Sequence, residues 1–426
     1  MNTNKILRNI EKIIPKKVYK FFQPAYHFGL SFVGKFLYRF PSYQIKVIAI
    51  TGTKGKSSTT EYVNAMLEAN GFRTSILSTI RFKIGNESKK NLFKMTMPGR
   101  FFVQKFLADS VAAKCEYAII EMTSEGARFY RHHGVHIDAL LITNITPEHI
   151  ESHGSYEKYI SAKLKIAEAV EKSSKKNKAI IITDQCEDLK RFHNFKVENK
   201  LTVYLDQENL SSLKLSLPGD FNKANALLAL KLSEFLNLNK TKSKQAVENL
   251  SHIAGRAEEI NLPPANKKYK AQNFKVVIDY AHTVDSLEKI YSAYPGKRIA
   301  VIGACGGGRD KLKQPNLGAV ADQNCEVVVV TDEDPYDDDV MEIINNLASG
   351  VKNKKLNHSL FIEKDRRLAI NIAIKKAVEL AGTSHDVSII ISGKGTDPYI
   401  MRANGVKEKW SDAEVAQEEL EKVLKK

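Results

Sequence analysis

Cysteine is scarce in this chain. The 426 residues hold four, Cys115, Cys186, Cys305 and Cys325, and no two of them stand in a CxxC pair. That spacing argues against a zinc site or a disulfide framework and fits a reducing cytosol. No apolar run is long enough to span a bilayer. The amino terminus lacks the small-residue cleavage site of a secretory signal, so a cytoplasmic location is expected. Internal repeats and low-complexity segments are also missing. Outside the amino terminus there is no compact lysine and arginine block interleaved with stacking aromatics, so nucleic acid is not an expected partner.

What is present is positive charge. Lysine and arginine number 65 against 49 acidic residues, a net charge of +16. Such an excess suits phosphorylated substrates or an anionic membrane surface, and equally a lysine-rich proteome. The hydrophobic fraction of 43% and charged fraction of 27% fit a soluble globular protein. The length exceeds what one hydrophobic core serves, so two or three domains are expected.

Residues 1–44 differ from the rest. Ile6, Leu7, Ile10, Ile13 and Ile14 recur at helical spacing among Lys5, Arg8, Lys12, Lys16 and Lys17, with Pro15 interrupting. Phe21 to Phe40 is rich in Phe and Tyr. The pattern suits an interfacial membrane helix with basic flanks, or an amphipathic segment packed on the protein's own body or a partner. From residue 45 the order becomes regular. Ile45–Ile50, Tyr117–Glu121, Ala139–Thr143 and Ala179–Ile182 read as buried strands, with a helix from Lys56 to Asn70 stopped by Gly71. A second series follows at Lys275–Asp279, Arg298–Gly303, Glu326–Thr331 and Val387–Ser392. Strands alternating with helices imply parallel sheets. The expected fold is α/β, with a central P-loop ATPase-type parallel-sheet domain over 45–253 and a C-terminal Rossmann-like α/β domain over 254–426. Leu262–Lys268 reads as a surface loop just inside the latter.

The strongest chemical signal is Gly52-Thr53-Lys54-Gly55-Lys56-Ser57-Ser58, lying between a strand and a helix. Glycines let backbone N–H groups wrap around phosphates, and the helix N-terminus adds partial positive charge. Lys56 can reach terminal phosphates and the Ser57 hydroxyl can ligate magnesium. Position 50 is Ile where an ordinary Walker A loop has its first glycine, so this is the shorter GxxGKS form.

That form resembles the Mur ligase family and its folylpolyglutamate synthetase relatives, and the resemblance runs from Ile45 almost to the C-terminus. Ile120-Glu121-Met122-Thr123-Ser124-Glu125-Gly126 is similar to the family's strand-end segment, which implies that Glu121 ligates magnesium. Thr143-Asn144-Ile145-Thr146-Pro147-Glu148-His149 resembles TNxxxDH, which implies a metal-ligand role for His149. His153-Gly154 through Tyr159 to Ala162-Lys163 resembles HGxxxxYxxAK. There the lysine is carbamylated and helps hold a second magnesium ion. A carbamate replaces a cation with the anionic oxygen that magnesium prefers.

Gly219-Asp220-Phe221-Asn222-Lys223-Ala224-Asn225 is similar to GxFNxxN, which places Asn222 and Asn225 near adenine. Gly255-Arg256, Asp279-Tyr280-Ala281-His282-Thr283 and Gly306-Gly307-Gly308-Arg309-Asp310-Lys311 resemble further ATP-bordering segments. They imply that Arg256, Asp279, His282 and Arg309 serve the nucleotide. Thr96, Thr123 and Arg131 fall where the family meets its muramoyl-peptide substrate. Gly393-Lys394-Gly395-Thr396-Asp397 is similar to GKGHE, implying that Gly393 and Asp397 touch the incoming amino acid. Diaminopimelate-adding members carry DNPR; the matching residues here are Asp334-Pro335-Tyr336, and Tyr336 cannot make an arginine's bidentate pair with a carboxylate. Glu333 precedes them and Asp337-Asp338-Asp339 follow; this acidic cluster suits an amino acid with a cationic end, such as lysine or ornithine, or else the aspartates form a solvated helix N-terminus before Val340.

The resemblance therefore implies an ATP- and magnesium-dependent ligase, with two ions and a carbamylated Lys163. It would join a free amino acid to a muramoyl-peptide precursor through an acyl phosphate, without a side-chain nucleophile. Family members have a UDP-recognising domain ahead of the loop, which about 45 residues cannot make. A nucleotide-sugar end held differently, or a lipid-linked acceptor, is the expectation there, and peripheral membrane contact through residues 1–44 would fit the latter. Competing readings are a cyanophycin- or folylpolyglutamate-type ligase, a non-catalytic nucleotide-binding scaffold, and a basic anion-binding module. The retained Lys56, Glu121, His149 and Lys163 argue against a scaffold.

Overall fold

The computed structural model describes residues 29, 33–99, 101–148, 153–263, 273–308, 311–382 and 386–425. Most of the basic amino-terminal segment, His149, Arg309 and much of the Leu262–Lys268 loop lie outside the described residues. The chain divides into two compact units, one running to Lys214 and taking in Ala224–Asn249, the other comprising Leu215–Lys223 and Leu250 onward.

The first unit is built on eight strands: β1 (Lys46–Thr51), β2 (Thr74–Leu77), β3 (Arg81–Ile84), β4 (Glu87–Lys90), β5 (Tyr117–Glu121), β6 (Ala139–Ile142), β7 (Ala179–Thr183) and β8 (Asn199–Val203). They form one sheet in the order β4-β3-β2-β5-β1-β6-β7-β8. Pairing from β2 through β8 is parallel, and β3 and β4 extend the edge antiparallel. Every residue of β5, β6 and β7 is buried, and all of β1 except Lys46. Helices cover both faces of a parallel sheet, so its strands carry apolar, β-branched runs rather than alternation. The β3–β4 hairpin turns on the two residues Gly85-Asn86, a local signal that escapes a reading made only for apolar strands.

Two helices bring chemistry to this sheet. Lys56–Ala69 starts at Gly55 and stops at Asn70, one residue short of the sequence expectation. Tyr156–Glu171 starts where the Ser155 side chain accepts from the Lys158 N–H. It buries Tyr159, Ile160, Ala162, Lys163, Ile166, Ala167 and Val170, the spacing of one helix face. Fully burying one such isoleucine or valine contributes about 1.5–3 kcal/mol. Apolar neighbours on that face therefore carry the desolvation of Lys163.

The second unit holds β9 (Glu258–Glu259), β10 (Phe274–Ile278), β11 (Lys297–Ile302), β12 (Val327–Val330), β13 (Leu360–Ile362) and β14 (Val387–Ile391), with a separate hairpin of β15 (Tyr399–Met401) and β16 (Lys407–Lys409). The sheet order is β13-β12-β11-β14-β10-β9, parallel except for β9. The four apolar runs expected from sequence are its four central strands; the short edge strands carried too few apolar residues to be read. Both units thus have the expected α/β architecture with large parallel sheets. No helix among the described residues is long and apolar enough to cross a membrane.

Candidate active site

The glycine loop of the first unit is held by its own polypeptide. Gly52 adopts φ 148°, and a Cβ there would lie 1.8 Å from Thr143 Oγ1, so only glycine fits where β1 hands over to the loop. Thr143 follows β6 and donates its hydroxyl to the Lys54 carbonyl at 2.5 Å. The Asn144 side chain accepts from the Lys54 N–H at 3.0 Å, and its carbonyl accepts from the Thr53 N–H at 2.8 Å. Thr53 Oγ1 meets the Tyr159 hydroxyl at 2.7 Å. The loop therefore stands on the end of β6 and on helix Tyr156–Glu171. Ser57 and Ser58 are buried in the first turn of the following helix. The Lys56 ammonium donates to the Gly52 and Thr53 carbonyls at 3.1 and 2.9 Å.

Beside the loop, β5 pairs with β1 so that Glu121 aligns with Ile50. Glu121 is completely buried. Its Oε2 accepts two bonds from Thr79, from the N–H at 2.8 Å and the hydroxyl at 2.6 Å. Its Oε1 has no partner among the described residues. A buried carboxylate oxygen left bare is costly unless something supplies positive charge, and a hard divalent cation suits it. Thr79 also meets Thr96 through their hydroxyls at 2.7 Å.

Lys163, 1% exposed, donates to the same Gly52 carbonyl at 2.7 Å and lies 4.9 Å from the centre of the Tyr159 ring. Burial, reinforced by the nearby Lys56 charge and opposed by Glu148, pushes its pKa well below the ordinary lysine value. His153 contacts Ser124 Oγ at 3.1 Å, and burial lowers its pKa too. Asn225 belongs to this unit and accepts from Thr59 Oγ1 at 3.2 Å. Thr123 caps helix Ser124–Arg128 by accepting from the Gly126 N–H. Arg131 donates to the Met97 carbonyl at 2.5 Å, while its Nε is buried with no partner among the described residues and burial lowers its pKa.

In the second unit the Asp279 carboxylate accepts from the Ala257 and Ala281 N–H groups, both at 2.7 Å. Burial raises its pKa against the pull of Arg256. Arg256 stacks 4.5 Å from the Tyr280 ring, and His282 Nδ1 lies 2.7 Å from the Tyr280 carbonyl. Asn222 donates to the Pro218 carbonyl.

A separate acidic cluster forms at the ends of β12 and β14. Gly393, with φ 102°, comes so close to Glu333 that a Cβ would lie 2.2 Å from Oε2. Glu333 is buried and takes the Cys305 thiol on Oε1 at 3.1 Å. Its Oε2 has no partner among the described residues. Burial raises its pKa, with Arg366 and Lys394 pulling the other way. Asp334 receives buried Lys394 at 2.9 Å and the Met401 N–H at 2.8 Å. Lys394 lies 3.9 Å from Asp397. Tyr336 takes φ 54° and packs against Gly307.

The acidic run beyond it is occupied by backbone. Asp337 accepts from the Asn404 N–H, Asp338 from the Gly307 N–H, and Asp339 caps helix Val340–Ala348 through the Met341 and Glu342 N–H groups. Of the two readings open in the sequence, the helix start holds for Asp339. Glu333 was read from sequence only as one member of the acidic cluster around the Asp-Pro-Tyr motif, and Thr79 carried no motif at all.

Fold and loop define a P-loop nucleotide-binding α/β protein. Residues 50–233 match the Mur ligase middle domain, and residues 266–395 match the Mur ligase glutamate ligase domain. The chain is 31% identical over 394 residues to a UDP-N-acetylmuramoyl-L-alanyl-D-glutamate–2,6-diaminopimelate ligase of Clostridium acetobutylicum, covering 87% of this chain and 77% of the relative. It is 32% identical over 408 residues to a UDP-N-acetylmuramyl-tripeptide synthetase of Borrelia garinii, covering 86% and 77%. Among solved structures, a Mycobacterium tuberculosis folylpolyglutamate synthase superposes with a TM-score of 0.67 at 16% identity, over 87% of this chain and 93% of that one. At that identity the likeness concerns the fold alone. The chain belongs to the Mur ligase family and is an ATP-dependent amino acid ligase.

Proposed function

We propose that this ligase adds a free amino acid with a cationic far end to the peptide of a muramoyl-peptide precursor, as a step of peptidoglycan assembly. The names of the relatives support the acceptor class. The observation that carries the amino-acid reading is Glu333, a buried carboxylate with one bare oxygen beside Gly393, in a cluster where Tyr336 replaces the arginine of diaminopimelate-adding relatives. Asp337, Asp338 and Asp339 have backbone partners, so the reading rests on Glu333 with Asp397, and not on the acidic run.

In this reading the acceptor carboxylate attacks the γ-phosphorus of ATP, ADP leaves, and the amine then attacks the acyl-phosphate carbonyl and expels phosphate. The residues of this chain position and neutralise. The loop N–H groups and Lys56 hold the triphosphate, with Asn225 in the same unit; Asn222, Arg256, Asp279, His282 and Arg309 keep the nucleotide roles that the family resemblance implies. Thr96, Thr123 and Arg131 hold the acceptor, and the partly unsatisfied guanidinium of Arg131 suits an anionic group. Ser57, Glu121, His149 and carbamylated Lys163 would hold two magnesium ions, which supply charge neutralisation on the phosphates. The bare Glu121 Oε1 fits that role. Carbamylation needs a neutral amine, which attacks carbon dioxide, forms the N–C bond and releases a proton; the lowered pKa of Lys163 provides that form. For the amino-terminal stretch, exposed Val33, Phe36 and Leu37 among basic residues favour peripheral membrane contact.

An ADP-release screen crossing lysine, ornithine, diaminopimelate and neutral amino acids with UDP-muramoyl-dipeptide and its lipid-linked form tests the reading. Lysine or ornithine should be preferred. Clear preference for diaminopimelate would overturn the amino-acid assignment.

A further inference from the structure

Among the described residues Glu121 is gripped on one side only, and the group that grips it reaches outward. Thr79 lies in the turn between β2 and β3 and places both its N–H and its hydroxyl on Oε2. The same hydroxyl meets Thr96 Oγ1 at 2.7 Å. A hydroxyl has one proton to give, and a carboxylate oxygen only accepts. The Thr79 proton therefore goes to Glu121, and Thr96 must donate its own proton to Thr79. Thr96 is left presenting lone pairs alone.

We propose that Thr79 is a positioning residue joining acceptor recognition at Thr96 to the metal ligand Glu121. By saturating Oε2 it turns Oε1 toward the ion, and by taking the Thr96 proton it makes Thr96 a reader of N–H or O–H donors. The acceptor group seated there is a donor such as a peptide amide, and a carboxylate is disfavoured. An acceptor that orders Thr96 also orders Glu121, so acceptor and divalent ion strengthen each other's binding. This inference rests on the reading of Glu121 as a metal ligand and Thr96 as an acceptor contact.

The test uses the full chain and manganese as the probe, titrated by electron paramagnetic resonance with a non-hydrolysable ATP analogue present. Thr79→Val and Thr79→Ala keep the backbone bond and remove the hydroxyl. Both should weaken manganese binding by about tenfold or more, with Thr79→Ser restoring it to near the parent value. UDP-muramoyl-dipeptide should tighten manganese binding in the parent and leave it unchanged in Thr79→Val. Thr96→Val should raise KM for the dipeptide while sparing manganese affinity. Parent-like manganese affinity in both Thr79→Val and Thr79→Ala overturns the positioning role, provided Glu121→Gln weakens it. Parent-like affinity in Glu121→Gln sinks the metal reading itself.

Discussion

Among the described residues each unit holds one lysine that is at most 1% exposed, and the two are buried in opposite company. Lys394 in the second unit lies against Asp334 at 2.9 Å and donates to the Tyr399 carbonyl at 2.6 Å. Lys163 in the first donates to a carbonyl that Lys56 also uses, and its pKa is driven down. A buried ammonium facing a carboxylate forms an ion pair that orders its surroundings. A buried ammonium facing a carbonyl and a second cation is pressed to lose its proton. The first arrangement braces strand ends that carry Glu333 and Gly393. The second leaves an amine pressed toward its neutral form beside the glycine loop. Burial alone does not tell a structural lysine from a chemical one; the partner does.

The contrast can be broken most sharply through turnover. Lys163→Ala and Lys56→Ala should each lower amine-dependent ADP release by about a thousandfold or more, since both act on developing phosphate charge. Near-normal turnover in either would remove the chemical half of the comparison.

Stability sets the second test. Lys394→Met strands Asp334 in the core and should cost about 3–5 kcal/mol in denaturant unfolding. Lys163→Met removes a desolvated amine and should cost far less; equal costs would erase the distinction. Acidity adds the sign. Between its lowered folded pKa and the ordinary value of 10.5, Lys163 is deprotonated when folded and protonated when unfolded. The unfolded chain binds the extra proton, so stability rises with pH through that window, by at most about 1.4 kcal/mol per pH unit. Lys163→Met should flatten that rise.

The smallest effect expected is at Asp339. Replacing this helix cap by alanine should cost about 1 kcal/mol and leave the order of amino-acid preference unchanged. A changed preference would return the acidic run to the substrate site.

The central strands were legible because a strand buried on both faces needs a continuous apolar run, as Ala139–Ile142 and Val387–Ile391 show. The phosphate loop was legible because its glycines are demanded by backbone approach, at Gly52 most strictly. Edge strands were not, since Glu87–Lys90 is wholly exposed and carries no apolar pattern. Within the candidate sites, Thr79 escaped because its significance lies in a proton already committed, and Glu333 was legible only as one of an acidic cluster, not as the member with an oxygen left bare among the described residues. Neither property is written in residue type or spacing. Three aspartates in a row likewise say nothing of the N–H groups that will claim them.

Arg366 has a consequence for biosynthesis. Its guanidinium joins the Asp332 and Ser392 carbonyls, next to Glu333 and Gly393, to the Asp412 carboxylate. Helix Asp412–Leu424 supplies that carboxylate and, with Val415, Ala416, Leu420 and Leu424, part of the core. On the ribosome every parallel strand of the unit emerges before this helix does. The acidic cluster can therefore settle only after the helix has followed, so a nascent chain halted after β14 would hold a sheet with that cluster still unset.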